Sequence, residues 1–214
     1  MDPKSEREWL KRFPNEPSDR IAIAHLAIDA FESCEHEVTE ANLRPIVQAA
    51  SSPHELVRGT GCRLLVQLAE YNEMAQECLL QMAKEKHFTP RLNAVVFLEK
   101  TLPEDLCRQI IQLALDDRSS KVRERGIEQA DSFRFKEFLP QLMRMLRSER
   151  NKSVRSSLRF HIPLLRDGYF VERAKGGYYL CVRGKRSVGG PFILKENYSE
   201  EFVLLEVKRI QNED

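Results

Sequence analysis

Long hydrophobic runs are missing from this sequence: no stretch approaches the roughly 18 continuous apolar residues that a membrane-spanning helix needs. The opening residues, Met1-Asp2-Pro3-Lys4-Ser5-Glu6-Arg7-Glu8, are too polar for a secretory leader, so a cytoplasmic protein is expected. Cysteines number five, at Cys34, Cys62, Cys78, Cys107 and Cys181. They are far apart and never form a C-x-x-C pair, which points away from a disulfide framework and from a zinc ribbon. The five histidines include no H-x-x-x-H spacing, and Cys34-Glu35-His36 has no second ligand group at metal-site distance, so no metal is expected. There is no G-x-S-x-G, no Rossmann fingerprint and no glycine loop opening a helix. Gly184 to Gly190 is glycine-rich, but nothing after it starts a helix that would offer amides to a phosphate. These gaps leave no assembled catalytic set and no cofactor.

What is present is charge, unevenly placed. The formal net charge of +1 conceals 13 basic against 20 acidic residues up to Asp117, 18 against 7 from Arg118 to Ser187, and 3 against 6 thereafter. Such a local excess steers a partner of opposite sign whatever the total.

A repeat organises the first four-fifths of the chain. Arg58, Arg91, Arg123 and Arg155 recur at intervals of 33, 32 and 32. Three residues beyond each arginine stands Gly61, Ala94, Gly126 or Leu158, and four further on Leu65, Leu98, Ala130 or Ile162, an apolar stripe at helical spacing. Small residues in the first of these columns let helices approach closely. Six residues before the arginine stand Ser52, Glu85, Asp117 and Glu149, a turn position at which an acid can pair with the arginine.

The segment Asp117-Arg118-Ser119-Ser120-Lys121-Val122-Arg123 resembles the inter-helix turn and second-helix start of a HEAT repeat, in which an acid and a few polar residues precede Val-Arg. The resemblance covers roughly residues 38 to 166, with a degenerate copy before it; Pro90 and Ser52 depart from the pattern. It implies a mainly α fold, a right-handed α-solenoid of about five helical hairpins at 5–35, 38–71, 72–101, 103–133 and 135–166. In each hairpin the first helix is expected on the outer side and the second on the inner. Ser52-Pro53 and Thr89-Pro90 are expected to cap helices with proline at the first helical position, Thr39 and Asn72 are expected caps, and the second helix of the third hairpin is expected to run through Glu99, ahead of Pro103.

The array is expected to occupy residues 1–166 and a small cap residues 167–214. Pro163 and Asp167-Gly168 end the last array helix. Tyr169 to Arg173 and Tyr178 to Arg183 read as a β-hairpin across Gly176-Gly177, followed by a short strand at Phe192-Ile193-Leu194. Ser199-Glu200-Glu201 is expected to start a final helix through Ile210, with a strand as the alternative.

Two sets of side chains are candidates for binding. The ladder Arg58, Arg91, Arg123 and Arg155 suits a bidentate grip on phosphates or carboxylates, but the acids six residues earlier favour a structural role within each hairpin. Arg155, Arg159, Lys175, Arg183, Lys185 and Arg186, with Tyr178 and Tyr179, form a basic set interleaved with aromatics that fits a phosphate backbone and a stacking base. A solvated face, with the tyrosines packing the cap, is the plainer reading of the same residues. HEAT arrays serve unrelated tasks, so fold alone names no function. The expected function is non-enzymatic binding of a protein partner, acidic for preference, with nucleic-acid binding by residues 118–187 as the alternative. Alkylpurine DNA glycosylases are similar in size and in having a basic groove, yet that family uses an aspartate with several tryptophans, and here Trp9 stands alone. Bilin lyases also contain HEAT-like repeats, but no residues here single out a tetrapyrrole site.

Overall fold

In the computed structural model the described residues are 3–34, 37–174, 177–182, 192–193 and 199–211. The chain is mainly helical. Paired helices follow one another along the first 167 residues: α1 (Pro3–Leu10) and α2 (Ser18–Ser33), α3 (Glu40–Ala50) and α4 (Glu55–Ala69), α5 (Glu73–Lys84) and α6 (Phe88–Val96), α7 (Glu104–Leu115) and α8 (Ser120–Ser132). A 3-10 turn at Lys136–Phe138 then leads into α9 (Leu139–Ser148) and α10 (Lys152–Asp167). Strands β1 (Tyr169–Ala174), β2 (Gly177–Val182) and β3 (Phe192–Ile193) precede α11 (Glu200–Gln211). The chain divides into two compact units, Met1–Gly126 and Ile127–Asp214, with the division inside α8. The boundary expected between 166 and 167 falls within the second of them.

In the first unit α3 packs on α4 and α5 on α6, while α5 also meets α3 and α7, and α4 meets α2 and α5. Glycine permits the closest of these approaches. A Cβ on Gly61 would lie 2.2 Å from the Ala50 nitrogen, so the backbone of α4 rests directly on the end of α3. Gly126 sits less tightly on α7, where a Cβ would meet the Ala114 Cβ at 3.0 Å. The Ala50 carbonyl at this crossing accepts from Asn93 Nδ2 of α6 at 3.0 Å, which joins the second hairpin to the third through a buried amide.

Thr39 and Asn72 cap α3 and α5, their side chains accepting from the amides of Asn42 and Ala75 at 3.3 and 3.1 Å. Other helix ends differ from expectation. Ser52 accepts from the His54 amide at 3.2 Å and caps no helix; α4 starts at Glu55, so Pro53 lies outside it. Helix α6 starts at Phe88, one residue before Thr89, and ends at Val96 rather than Glu99. Beyond that end, Leu98 and Leu102 turn into the core from the connecting segment, which continues the apolar pattern without continuing the helix.

The first helix, α1, packs on α2 and also places Glu6 against Thr60 and Arg63 of α4.

In the second unit α9 packs on α10, and α10 on β1, where the Phe160 and Phe170 rings meet edge to face at 5.0 Å. Pro163 is accommodated inside α10, which continues to Asp167 and stops at Gly168 with φ +81°, its amide donating to the Leu164 carbonyl at 3.0 Å. The sheet is antiparallel in the order β1-β2-β3, with Tyr169 opposite Val182, Ala174 opposite Gly177 and Cys181 opposite Ile193. Gly177 thus belongs to the paired strand. The segment 199–211 takes the helical alternative, and Ser199 Oγ accepts from the Phe202 amide at 3.2 Å at its start.

Candidate functional site

The ladder arginines of the first unit share one geometry. Arg58 Nη1 donates to the carbonyls of Ser52 and Pro53 at 3.5 and 3.0 Å. Arg91 Nη1 donates to those of Glu85 and Lys86 at 3.0 and 2.8 Å. Arg123 Nη1 donates to those of Asp117 and Arg118 at 2.8 and 3.2 Å. Each arginine reaches back six and five residues to the turn that precedes its own helix. The chain that leaves one helix for the next carries carbonyls with no intrahelical partner, and a single guanidinium nitrogen, Nη1, donates to two of them in each turn.

The acids in the column six residues earlier do not pair as expected. At Glu85 and Asp117 it is the backbone carbonyl, not the carboxylate, that meets the arginine of the same hairpin. The Asp117 carboxylate turns to the preceding hairpin instead, accepting from Arg91 Nε at 2.6 Å and Nη2 at 3.0 Å. Only 7% and 6% of these two side chains are exposed. Burial by itself would raise the Asp117 carboxyl, but the hydrogen bonds from Arg91 and the Ser119 amide, with the charges of Arg91 and Arg118, hold it below its ordinary 3.8. Arg91 is correspondingly raised, chiefly by the hydrogen bond to Asp117. Arg118 adds a bond across the same junction, to the Lys86 carbonyl that Arg91 also holds. Every guanidinium nitrogen of Arg91 is engaged, which leaves it no fork to offer a ligand.

A second arginine site has no counterpart in the repeat pattern. Arg63 of α4 donates from Nε and Nη2 to the two carboxylate oxygens of Glu6, at 2.7 and 2.8 Å, a bidentate pair. The Glu6 side chain is 1% exposed, and Thr60, itself fully buried, donates its hydroxyl to the same carboxylate at 3.4 Å. The Trp9 ring lies over the Arg63 guanidinium at 4.6 Å, within cation–π range. Arg7 donates to Asp29 and Glu32 of α2 at 2.9 and 2.6 Å. An open cleft of about 480 Å³ adjoins this cluster, lined by Lys4, Ser5, Glu8, Trp9, Arg12 and Arg63. Sequence reading misses the site because its parts are 57 residues apart and follow no period.

A separate groove of about 610 Å³ runs between α3 and α5, floored by Leu43, Val47, Met74 and Cys78 and edged by Arg44 and Glu77. In the second unit His161 Nδ1 lies 2.9 Å from Asp131 Oδ2, another pairing that spacing does not foretell.

Of the basic set, Arg155 is half-buried and Arg159 exposed, one turn apart on α10. Tyr178 and Tyr179 belong to β2, opposite Arg173 and Glu172. Lys175, Arg183, Lys185 and Arg186 lie outside the described residues, as do Glu35 and His36.

All five thiols are free. Burial pushes Cys62 up to about 12 and Cys107 and Cys181 to about 11, values at which a thiol is a poor nucleophile near neutral pH. Among the described residues there is no group of three or more potential metal ligands and no helix long and apolar enough to cross a membrane.

No family model and no curated protein matches the chain. Among solved structures, an engineered protein from a structural genomics consortium aligns over 75% of this chain and 79% of its own, at 14% identity and a TM-score of 0.38. A similarity of that size carries no argument about fold or function.

Proposed function

We propose that the chain is a HEAT-type α-solenoid of five helical hairpins, closed by the β-containing segment, whose function is to hold a protein partner rather than to catalyse a reaction. The observation that carries the reading is the arginine turn, formed three times with the same two carbonyl partners at the same offsets. Repetition of one turn geometry at intervals of 33 and 32 residues supports a stack in which each hairpin meets its neighbours in a similar way. In such a stack the second helices line a common inner strip, and the strip is the surface available to a partner. A cytoplasmic location and an acidic partner fit this reading, since 18 basic residues stand against 7 acidic between 118 and 187.

Affinity capture with the full chain, half of each sample treated with nuclease, tests it. The expected result is a protein that remains bound with and without nuclease. Recovery of nucleic acid with no protein above background would overturn it.

A second reading, nucleic-acid binding through the region 118–187, has Arg155 and Arg159 on one turn of α10 in its favour. Its signature is a log affinity that falls with log salt by about 0.9 per duplex phosphate contact. Charge reversal at Lys185 and Arg186 without effect on duplex binding would dismiss it.

A further inference from the structure

The first helix is too short to be stable by its own hydrogen bonds; eight residues fall below the roughly 12 that an isolated helix requires. Its position therefore depends on what it touches. Two of its residues are buried, Glu6 and Leu10, four apart and so on one face. Glu6 meets Arg63 and Thr60 of α4, while Arg7 reaches Asp29 and Glu32 of α2. Lys11 to Pro17, with prolines at 14 and 17, tether it to α2. These contacts resemble those of a bound helical peptide: one buried charge-assisted anchor, one apolar anchor, and exposed ion pairs at the edge.

We infer that the Thr60–Arg63 strip of α4 is a receptor for a glutamate-bearing amphipathic helix of a protein partner, and that α1 is its resident intramolecular occupant. The inference rests on the reading that second helices present the binding strip, and it names the chemistry of what binds there. A partner helix must carry a carboxylate at one position and an apolar residue four further on, as Glu6 and Leu10 do. The carboxylate takes the Arg63 fork and the Thr60 hydroxyl; Trp9 leaves the guanidinium as α1 departs. Occupancy by α1 weakens the apparent affinity for any competitor by the fraction of time the strip is free. Loosening α1 must strengthen binding of a competitor to the same degree.

Trp9 makes the test direct, because it is the single tryptophan of the chain and stacks on Arg63. The full chain with Glu6→Ala and Arg7→Ala is titrated with a fluorescein-labelled peptide of residues 1–13, alongside the unaltered chain. In the double variant Trp9 emission moves to the red, the helix content of the rest persists, and the peptide binds at least about tenfold more tightly than to the unaltered chain. Adding Arg63→Ala abolishes that gain, and a peptide carrying Glu6→Gln binds about tenfold or more weakly. Equal affinity for the double variant and the unaltered chain overturns the inference. So does loss of helix content well beyond eight residues, since α1 would then be part of the core rather than an occupant. The peptide comes from this chain, so its failure leaves the capture experiment standing. Conversely, capture of nucleic acid alone would remove the proposed function without removing peptide binding at Arg63.

Discussion

Arg91 and Arg63, both in the first unit, grip a carboxylate bidentately, but their surroundings differ. Arg91 is first secured by two carbonyls of its own turn and then meets Asp117 of the next hairpin. Arg63 is held by a carboxylate from a short tethered helix and by an indole face. The first is a locked joint between neighbours whose donors are all engaged. The second takes both its carboxylate and its indole from one short helix. An arginine that recurs with a period is built into the turn, and the arginine outside the period is the better candidate for exchange with a ligand.

Breaking the locked joint gives the largest expected effect. Asp117→Asn or Arg91→Ala leaves a buried polar group or charge uncompensated and should destabilise the chain by about 3–5 kcal/mol, read from urea midpoints. The pH dependence has a definite sign. The Asp117 carboxyl lies below its ordinary 3.8 in the folded chain, so its stabilisation is complete above about pH 4 and is lost as pH falls through the folded value. The gap between the unaltered chain and Asp117→Asn must therefore be widest at pH 7 and narrow at pH 3.

Next in size is the backbone crossing of α4 on the end of α3. Gly61→Ala pushes a methyl to within 2.2 Å of the Ala50 backbone and should cost about 1–3 kcal/mol by thermal unfolding. At Gly126 the nearest atoms lie at 3.0 Å or beyond, and the same substitution should cost less. Smaller again is Arg58→Ala, which removes carbonyl bonds from a partly exposed turn with no aspartate behind it. About 1 kcal/mol is expected, well short of the Arg91→Ala loss, and a comparison of the two by chemical denaturation isolates what the Asp117 partner adds. The smallest expected effect is at the Asn72 cap, where alanine should lower stability by about 1 kcal/mol or less in the same assay.

Features made by neighbours in sequence were legible beforehand. Thr39 and Asn72 lie one turn from the amides they cap, Gly168 occupies the left-handed position that ends α10, and Ser199 opens α11. The period of the small column anticipates Gly61 and Gly126 at close helix crossings. The helix start near Pro53 was misplaced because Arg58 holds the turn carbonyls of Ser52 and Pro53 outside the helix, a bond that cap rules do not contain; α6 instead starts two residues before Pro90. The partner of Asp117 was misassigned for a similar reason. Its carboxylate is six residues ahead of Arg123 and 26 beyond Arg91, and only the packing of successive hairpins makes the more distant arginine the nearer one.

The order of helices and turns follows from the amino-acid sequence alone, through the spacing of apolar residues, glycines, caps and a recurrent arginine. That spacing acts within a few residues, where the backbone itself sets the distances. Tertiary structure decided which carboxylate each buried guanidinium receives and brought Glu6 to Arg63, because ion pairs between distant residues depend on where whole helices come to rest. Packing surfaces determine that position, and no local pattern encodes it.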